Sequence, residues 1–360
     1  MALPIAALRR YERPLSAIAM VTGFGFDNYF FGRVDHPATQ FVLFAYMVLA
    51  IATIVTVHFL ESFEDELEGI WLRLHPLLVF ATQFALGGLW SAFLVFYGRS
   101  AVIAASWPFL IVLAAMLVGN EVFRKYHSRL AFTCTLLFLA LFSYAIFVVP
   151  VVTRSMGRRT FLLSGSLAVV AFVVILGVLS AIGPQRMRKA WRGIIGGALG
   201  VYACLNLFYF TNVLPPLPLA LSNAGVFHGV DRSGPVWQGT AEPSAWYGST
   251  WINPVLHVTR GEPLYLYSAV FAPIQLKTDI VHVWQRYDDA ASAWHTEAKV
   301  TFPIMGGRDG GYRGISSKAA PRPGRWRVDI ETPDGLVIGR VGFSVASVST
   351  PVKSVMQVLP

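Results

Sequence analysis

Seven side chains in the C-terminal third are of types that do chemistry at a surface: His282, Trp284, Arg313, Ser316, Lys318, Arg325 and Arg327. Flat aromatic surface beside forked guanidinium donors suits a carbohydrate, an anionic polymer or a protein strand. The alternative is a charged face that only solvates a sheet. Catalysis has less to build on: Ser317, His282 and His295 are present, but no Gly-x-Ser-x-Gly elbow, His-Glu-x-x-His helix or phosphate loop occurs. His282 alternates with Val281 and Val283, so it shares a face with Trp284, read here as turned toward solvent or a sheet edge. With no partner acid nearby it reads as a hydrogen-bonded structural histidine.

A second constellation lies near the start of the chain. Asp27 falls within an apolar stretch and is followed by Arg33 and Asp35. An acid beside a guanidinium is usually held ionised and paired, so the first reading is a clasp as the chain leaves a bilayer. The sharper reading is a functional acid facing a helical bundle, as in a transporter or membrane enzyme. Elsewhere, ionisable residues at membrane depth are sparse. Gln83 and Asn206 are mid-span, and His58, with no second ligand in view, reads as an interfacial histidine. Cys134 and Cys204 both sit in apolar runs, which leaves no disulfide framework and no thiolate metal site. No metal or other cofactor is expected, and no enzyme activity.

The elements that must position these residues follow from composition. Of 360 residues, 55% are hydrophobic and 14% charged, and the mean hydropathy is +0.55, values of a membrane protein. Up to Ser222 there are 16 Lys+Arg and 9 Asp+Glu, against 13 and 11 beyond, so the net +9 divides into +7 and +2. The excess positive charge belongs to short loops between apolar segments, where it signals topology and contact with the lipid bilayer. It does not signal nucleic acid, since the remainder holds no basic tract.

Six apolar runs are long enough to approach or span a hydrocarbon core of ~30 Å: Phe41–Leu60, Leu74–Tyr97, Ala101–Gly119, Leu130–Val152, Phe161–Ile182 and Ile194–Val213. A seventh, Leu15–Gly32, follows Arg9, Arg10 and Arg13 without a small-x-small cleavage site. It reads as an uncleaved membrane segment, with a re-entrant or interfacial helix as the alternative. With seven spans, the inner loops carry 11 Lys+Arg and the outer loops 5; with six the count is 8 against 8. The seven-span chain therefore places its C-terminal part outside the cytoplasm. Residues 1–214 are thus read as a transmembrane helical domain and 215–222, with Pro215, Pro216 and Pro218, as a stiff connector.

Residues 223–360 are read as a soluble domain. Asn223–Val255 has little periodicity and reads as loop with one short strand, its tryptophans packing down rather than dangling. Beyond it the period changes to two. Strands are expected at Leu264–Phe271, Asp279–Arg286, Ala298–Phe302, Tyr312–Lys318, around Trp326–Ile330 with Trp326 inward, and Leu336–Val345 after the Thr332-Pro333-Asp334-Gly335 turn. Six short strands without a helix signal argue for an antiparallel, all-β sandwich of immunoglobulin-like type.

The order His282-Val283-Trp284, Gly311-Tyr312-Arg313, Ser316-Ser317-Lys318, Gly324-Arg325-Trp326-Arg327-Val328-Asp329 and Ile338-Gly339-Arg340 resembles the C-terminal domain of bacterial membrane proteins grouped as domain of unknown function 2914. The resemblance covers Leu264–Val345 well and the membrane part loosely. It implies a multi-pass protein of the bacterial inner membrane with a β-rich tail and no assigned activity. Together these readings give a non-enzymatic, membrane-anchored binding or assembly module facing an envelope polymer or protein partner.

Overall fold

The computed structural model describes residues 36–63, 70–100, 103–122, 130–216, 218–234, 236–243, 254–307 and 310–359. The chain forms two compact units, one of helices and one, from Leu214 onward, of strands.

The helical unit contains α1 (Pro37–Ser62), α2 (Ile70–Ser100), α3 (Ile103–Val122), α4 (Leu130–Thr153), α5 (Arg158–Ile182) and α6 (Pro184–Phe210). Pro37 and Pro184 open their helices, where a missing N–H costs nothing. Five segments are long and apolar enough to cross a membrane: Pro37–Ser62, Leu77–Gly98, Leu130–Thr153, Arg158–Ile182 and Pro184–Phe210. The apolar run of α3, Ser106–Val118, is shorter. The expected seven helices are therefore six among the described residues, and the Leu15–Gly32 segment lies outside them.

These helices are apolar on both sides, as a lipid solvent selects. On α5, Phe161, Phe172 and Leu176 are buried while Leu163, Val170 and Val174 are exposed. The glycines of α6 divide in the same way. A Cβ at Gly193 would lie 2.9 Å from that of Ala131, and one at Gly197 would meet Thr135 of α4, whereas Gly196 and Gly200 have nothing within 4 Å. Close helix approach therefore explains half of that glycine run.

The strand unit contains β1 (Ala220–Phe227), β2 (Gly229–Ser233), β3 (Val236–Ala241), β4 (Val255–Val258), β5 (Leu264–Phe271), β6 (Lys277–Asp288), β7 (Ala293–Met305), β8 (Tyr312–Lys318), β9 (Gly324–Glu331), β10 (Val337–Ser347) and β11 (Val355–Leu359). They form a five-stranded sheet in the order β4-β10-β9-β6-β7, a three-stranded sheet β1-β5-β8 and a second three-stranded sheet β11-β3-β2. All six expected strands are found, β5 and β8 with the expected ends. The stretch expected to be mostly loop instead holds β2, β3 and most of β1.

The expectation of a wholly antiparallel, immunoglobulin-like sandwich holds only as a β-rich domain. β4 pairs with β10 in parallel, through Leu256 opposite Val345, and the third sheet was not anticipated. The main core joins the five-stranded sheet to β1-β5-β8, with Trp284, Trp326, Val328 and Phe343 from the first and Leu264, Leu266 and Val270 from the second. A smaller core of Phe227, Tyr267, Ala269 and Leu359 joins β5 to the third sheet, with Trp237 packed against it. Pleating makes both possible, because successive residues of β5 serve opposite faces.

The placement of His282 and Trp284 corrects the sequence reading: both are 0% exposed, as is Ser268, and Ser316 is 5% exposed. His282 Nε2 lies 2.9 Å from Ser268 Oγ on β5, and Nδ1 lies 2.8 Å from Ser316 Oγ on β8. Trp284 Nε1–H donates to that same Ser316 oxygen at 3.0 Å. A neutral ring donates through one nitrogen and accepts through the other, and the serines supply the complementary roles in either tautomer. Because every polar atom on the ring is paired, a histidine can face inward where the alternation suggested solvent.

Burial pushes the His282 imidazole down to about 4 from its usual 6.5. The unfolded chain therefore takes up a proton below about 6.5 that the folded ring refuses until about 4. Stability contributed by this residue is full at neutral pH and is lost as pH falls across that interval, by about 3 kcal/mol at most. His282→Ala should cost about 3 kcal/mol at pH 7, because Ser268 and Ser316 lose their imidazole partner and a cavity opens in a dry core. It should also flatten the pH 4–6.5 stability slope in denaturant titrations followed by tryptophan fluorescence. A loss under 1 kcal/mol with an unchanged slope would refute the assignment.

Candidate functional site

The seven candidate residues do not share one surface. His282, Trp284 and Ser316 belong to the core just described. Arg313 pairs in register with Ala269 and so lies on the opposite face of β1-β5-β8, the side of the smaller core. Lys318 sits at the rim, where its Nζ is 3.5 Å from Oε2 of Glu297, whose Oε1 serves Arg286. Only Arg325 and Arg327 stand on the outer face of the five-stranded sheet. Asp27, Arg33 and Asp35 lie outside the described residues.

Around Arg325 and Arg327 the register assembles a surface that single-strand reading does not disclose. Gln285 of β6 lies opposite Arg327 of β9 and opposite Thr296 of β7, while Tyr287 lies opposite Trp294. The Arg325 guanidinium carbon sits 3.9 Å from the Tyr287 ring centre, and that of Arg327 sits 4.4 Å from the Trp294 ring centre. The two rings meet edge-on at 5.2 Å. Two guanidiniums over two touching rings make a flat, donor-rich strip.

Beside the strip is a charged cluster. Arg340 of β10 forks onto Asp329 with Nε to Oδ1 at 2.5 Å and Nη2 to Oδ2 at 2.7 Å. Asp329 is only 2% exposed, so this bidentate pair is structural. Arg327 donates to Gln285 Oε1 at 2.6 Å and stands 3.9 Å from Asp329 Oδ2. Glu331, two residues on and therefore on the same face, has no such fork among the described residues. Burial, reinforced by the Asp329 charge, pushes its carboxyl up to about 7, against the pull of Lys299, Arg340 and Arg327. A carboxyl near 7 can change charge at physiological pH.

Sequence reasoning also missed a histidine–carboxylate chain. His228 Nε2 lies 3.0 Å from Glu242, and its Nδ1 lies 2.8 Å from Glu262. Glu242 also accepts from the His257 backbone N–H at 2.6 Å and lies 2.8 Å from its Nδ1. Burial works to raise the Glu242 carboxyl, but the hydrogen bonds from His257 and His228 outweigh it and hold the group below its usual range. The chain ties β3 to β4 and to the β4–β5 turn. Its members are 14 to 34 residues apart, so no local motif announced it. Among the described residues no group of three or more His, Cys, Asp or Glu is arranged to hold a metal ion.

Glu331 gives the outer face a measurable signature. Its folded form keeps a proton up to about 7 that the unfolded chain gives up near 4.5, so its contribution to stability is full below 4.5 and is lost as pH rises to 7. Glu331→Gln should therefore gain on the wild type progressively from pH 4.5 to 7, with no further gain above. A difference that does not change with pH in paired denaturant titrations would place Glu331 in ordinary solvent.

Among curated proteins none matches the chain. Among solved structures, the Pseudomonas fluorescens alkylpurine DNA glycosylase AlkC bound to DNA containing an abasic site analog aligns with 84% of this chain and 96% of its own, at 9% identity and a TM-score of 0.24. A score that low carries no argument about fold or function. The family comparison is local, and it falls on the surface just described: residues 277–345, which run from the first residue of β6 into β10, match the family described as Protein of unknown function (DUF2914).

Proposed function

We propose that the protein is a non-enzymatic, membrane-anchored binding module of the bacterial envelope. In this reading the helices hold it in the inner membrane, and the strand unit, as an immunoglobulin-like sandwich, faces the periplasm. The outer face of the five-stranded sheet meets a polymer bearing carboxylates or phosphates. The observation that carries the reading is the strip of Arg325 over Tyr287 and Arg327 over Trp294, inside the stretch shared with the family. A face that serves only for solvation needs charges but no rings. Here the rings pre-set the guanidiniums, which lowers the ordering cost of binding. Besides the Tyr287 side chain, Arg325 pairs with Asp289, at 2.5 Å, with side chains 58% and 79% exposed. Such a pair is weak in water and exchanges readily for a ligand anion.

Two measurements test this reading. Full-length protein in nanodiscs should sediment with isolated peptidoglycan sacculi, and Arg325→Ala/Arg327→Ala should weaken that binding about tenfold or more. Arg232→Ala, on the separate β2 strand, should leave it unchanged. Equal binding by all three proteins, or none by any, would remove the proposal. For the orientation, Ser317→Cys in a background lacking Cys134 and Cys204 should react with a membrane-impermeant thiol reagent in intact, outer-membrane-permeabilised cells. Labelling only after lysis would place the strand unit in the cytosol.

A further inference from the structure

The helical unit has an ionisable cluster of its own, where α1, α2 and α6 meet. Glu61 is the shared node: His75 Nε2 lies 3.1 Å from one carboxylate oxygen, and Arg186 contacts the other. Behind it His58 is 1% exposed, with Nε2 2.9 Å from the carbonyl oxygen of Leu179 on α5. A carbonyl only accepts, so Nε2 carries the hydrogen, and the neutral ring keeps its lone pair on Nδ1. That Nδ1 is buried and has no hydrogen-bond partner among the described residues. His58 borders a cavity of about 20 Å³ that Glu61, Thr82, Thr133 and Arg186 also line, enough for one water-sized guest.

Charge accounting decides what guest the cluster takes. From α1 it is faced by His58 and Glu61, from α2 by His75, from α6 by Arg186, and from α4 by Thr133, with the Cys134 thiol within electrostatic reach of Arg186. α5 presents the Leu179 carbonyl. Among the described residues, with both histidines neutral, the Glu61 carboxylate and the Arg186 guanidinium cancel. A sodium or chloride ion would give up its hydration shell for no net counter-charge. A proton needs no room and forms its own bond, an N–H on a ring lone pair, with no leaving group.

We infer that this junction is a proton-binding site of the helical unit, with the proton held jointly by His58, Glu61 and His75. Because the groups interact, the binding step belongs to the cluster rather than to one residue. An imidazolium competes with Arg186 for Glu61, and Arg186 stands two residues after Pro184, the first residue of α6. Gly183 couples the ring to that turn. A Cβ there would meet His58 Nε2 at 2.8 Å and Ser62 Oγ closer still, so the α5–α6 turn rests directly on the histidine. Protonation is thereby linked to the seating of α6 on α1.

The test uses the full chain in nanodiscs with ¹⁵N-histidine, the resonances being assigned from His58→Gln and His75→Gln. The His58 and His75 signals should move together between pH 5 and 8. Glu61→Gln should lower their shared midpoint by one pH unit or more, a tenfold change in proton affinity. Arg186→Gln should raise it, which keeps the test decisive if Glu61→Gln does not fold. A His58 signal that is flat over that range, or midpoints unmoved by both substitutions, would show that the junction is only a clasp.

Discussion

The strand unit depends on one neutral imidazole. His282 spans from the five-stranded sheet to two strands of its neighbour and is saturated on both nitrogens, so its sheet cannot slide without stranding a polar ring in an apolar core. Register in a strand has period two, and a slip of one residue exchanges the faces. By fixing His282 inward, the network also fixes Gln285 and Tyr287 outward beside Arg327 and Arg325. The buried serines, none of which touches the surface strip, thus determine what the strip is made of.

The outer face shows the same economy in its charges. Asp329 is buried on a sheet surface because the Arg340 fork supplies both of its oxygens with donors. That leaves Arg327 held by a neutral amide, Gln285, by a ring, Trp294, and by a longer 3.9 Å approach to Asp329. Arg325 is held by a ring and an exposed carboxylate. The strong pair is therefore spent on fixing β9 to β10, and the weakly held guanidiniums remain at the surface. Glu331 lies between these regimes, shielded enough to resist ionisation and too far along the strand to share the fork.

Much of the strand unit was legible from periodicity. β5 and β8 begin and end where the alternation predicts, and Trp326 points into the core as its flanking arginines require. What failed was the choice of face for β6. In Val281-His282-Val283-Trp284 both sets of alternate residues are largely apolar, and the core set is chosen by Ser268 and Ser316, 14 and 34 residues away. β1 to β3 were hidden for a related reason. They are short and half-buried, so their identity as strands comes from pairing, β1 with β5 and β3 with β2 and β11, rather than from their own pattern. The candidate site was legible only in part, since types pointed to Arg325 and Arg327 but Tyr287 and Trp294 enter only through cross-strand register. Among the helices, spans were legible from apolar length, whereas the α1–α2–α6 junction was not. Its members Glu61, His75 and Arg186 each look like an unremarkable span-end charge.

The two units bury a histidine each, and the difference between them separates scaffold from chemistry. Both rings are almost inaccessible, and both use Nε2 in a hydrogen bond to another element. In His282 the second nitrogen is also bonded, and the groups against it are the Ser268 and Ser316 hydroxyls and the Phe302 ring, which carry no charge. A proton arriving there would have to break a bond and find no counter-charge, so burial wins and the ring stays neutral over the physiological range. In His58 the second nitrogen is bare, a cavity lies beside it, and a carboxylate and a guanidinium share the walls. The cost of burial is the same in kind, but the lone pair is available and the Glu61 carboxylate, shared between Arg186 and His75, stands in the same cluster. Saturation of the ring's partners, more than depth of burial, is what makes one histidine inert and leaves the other able to bind a proton.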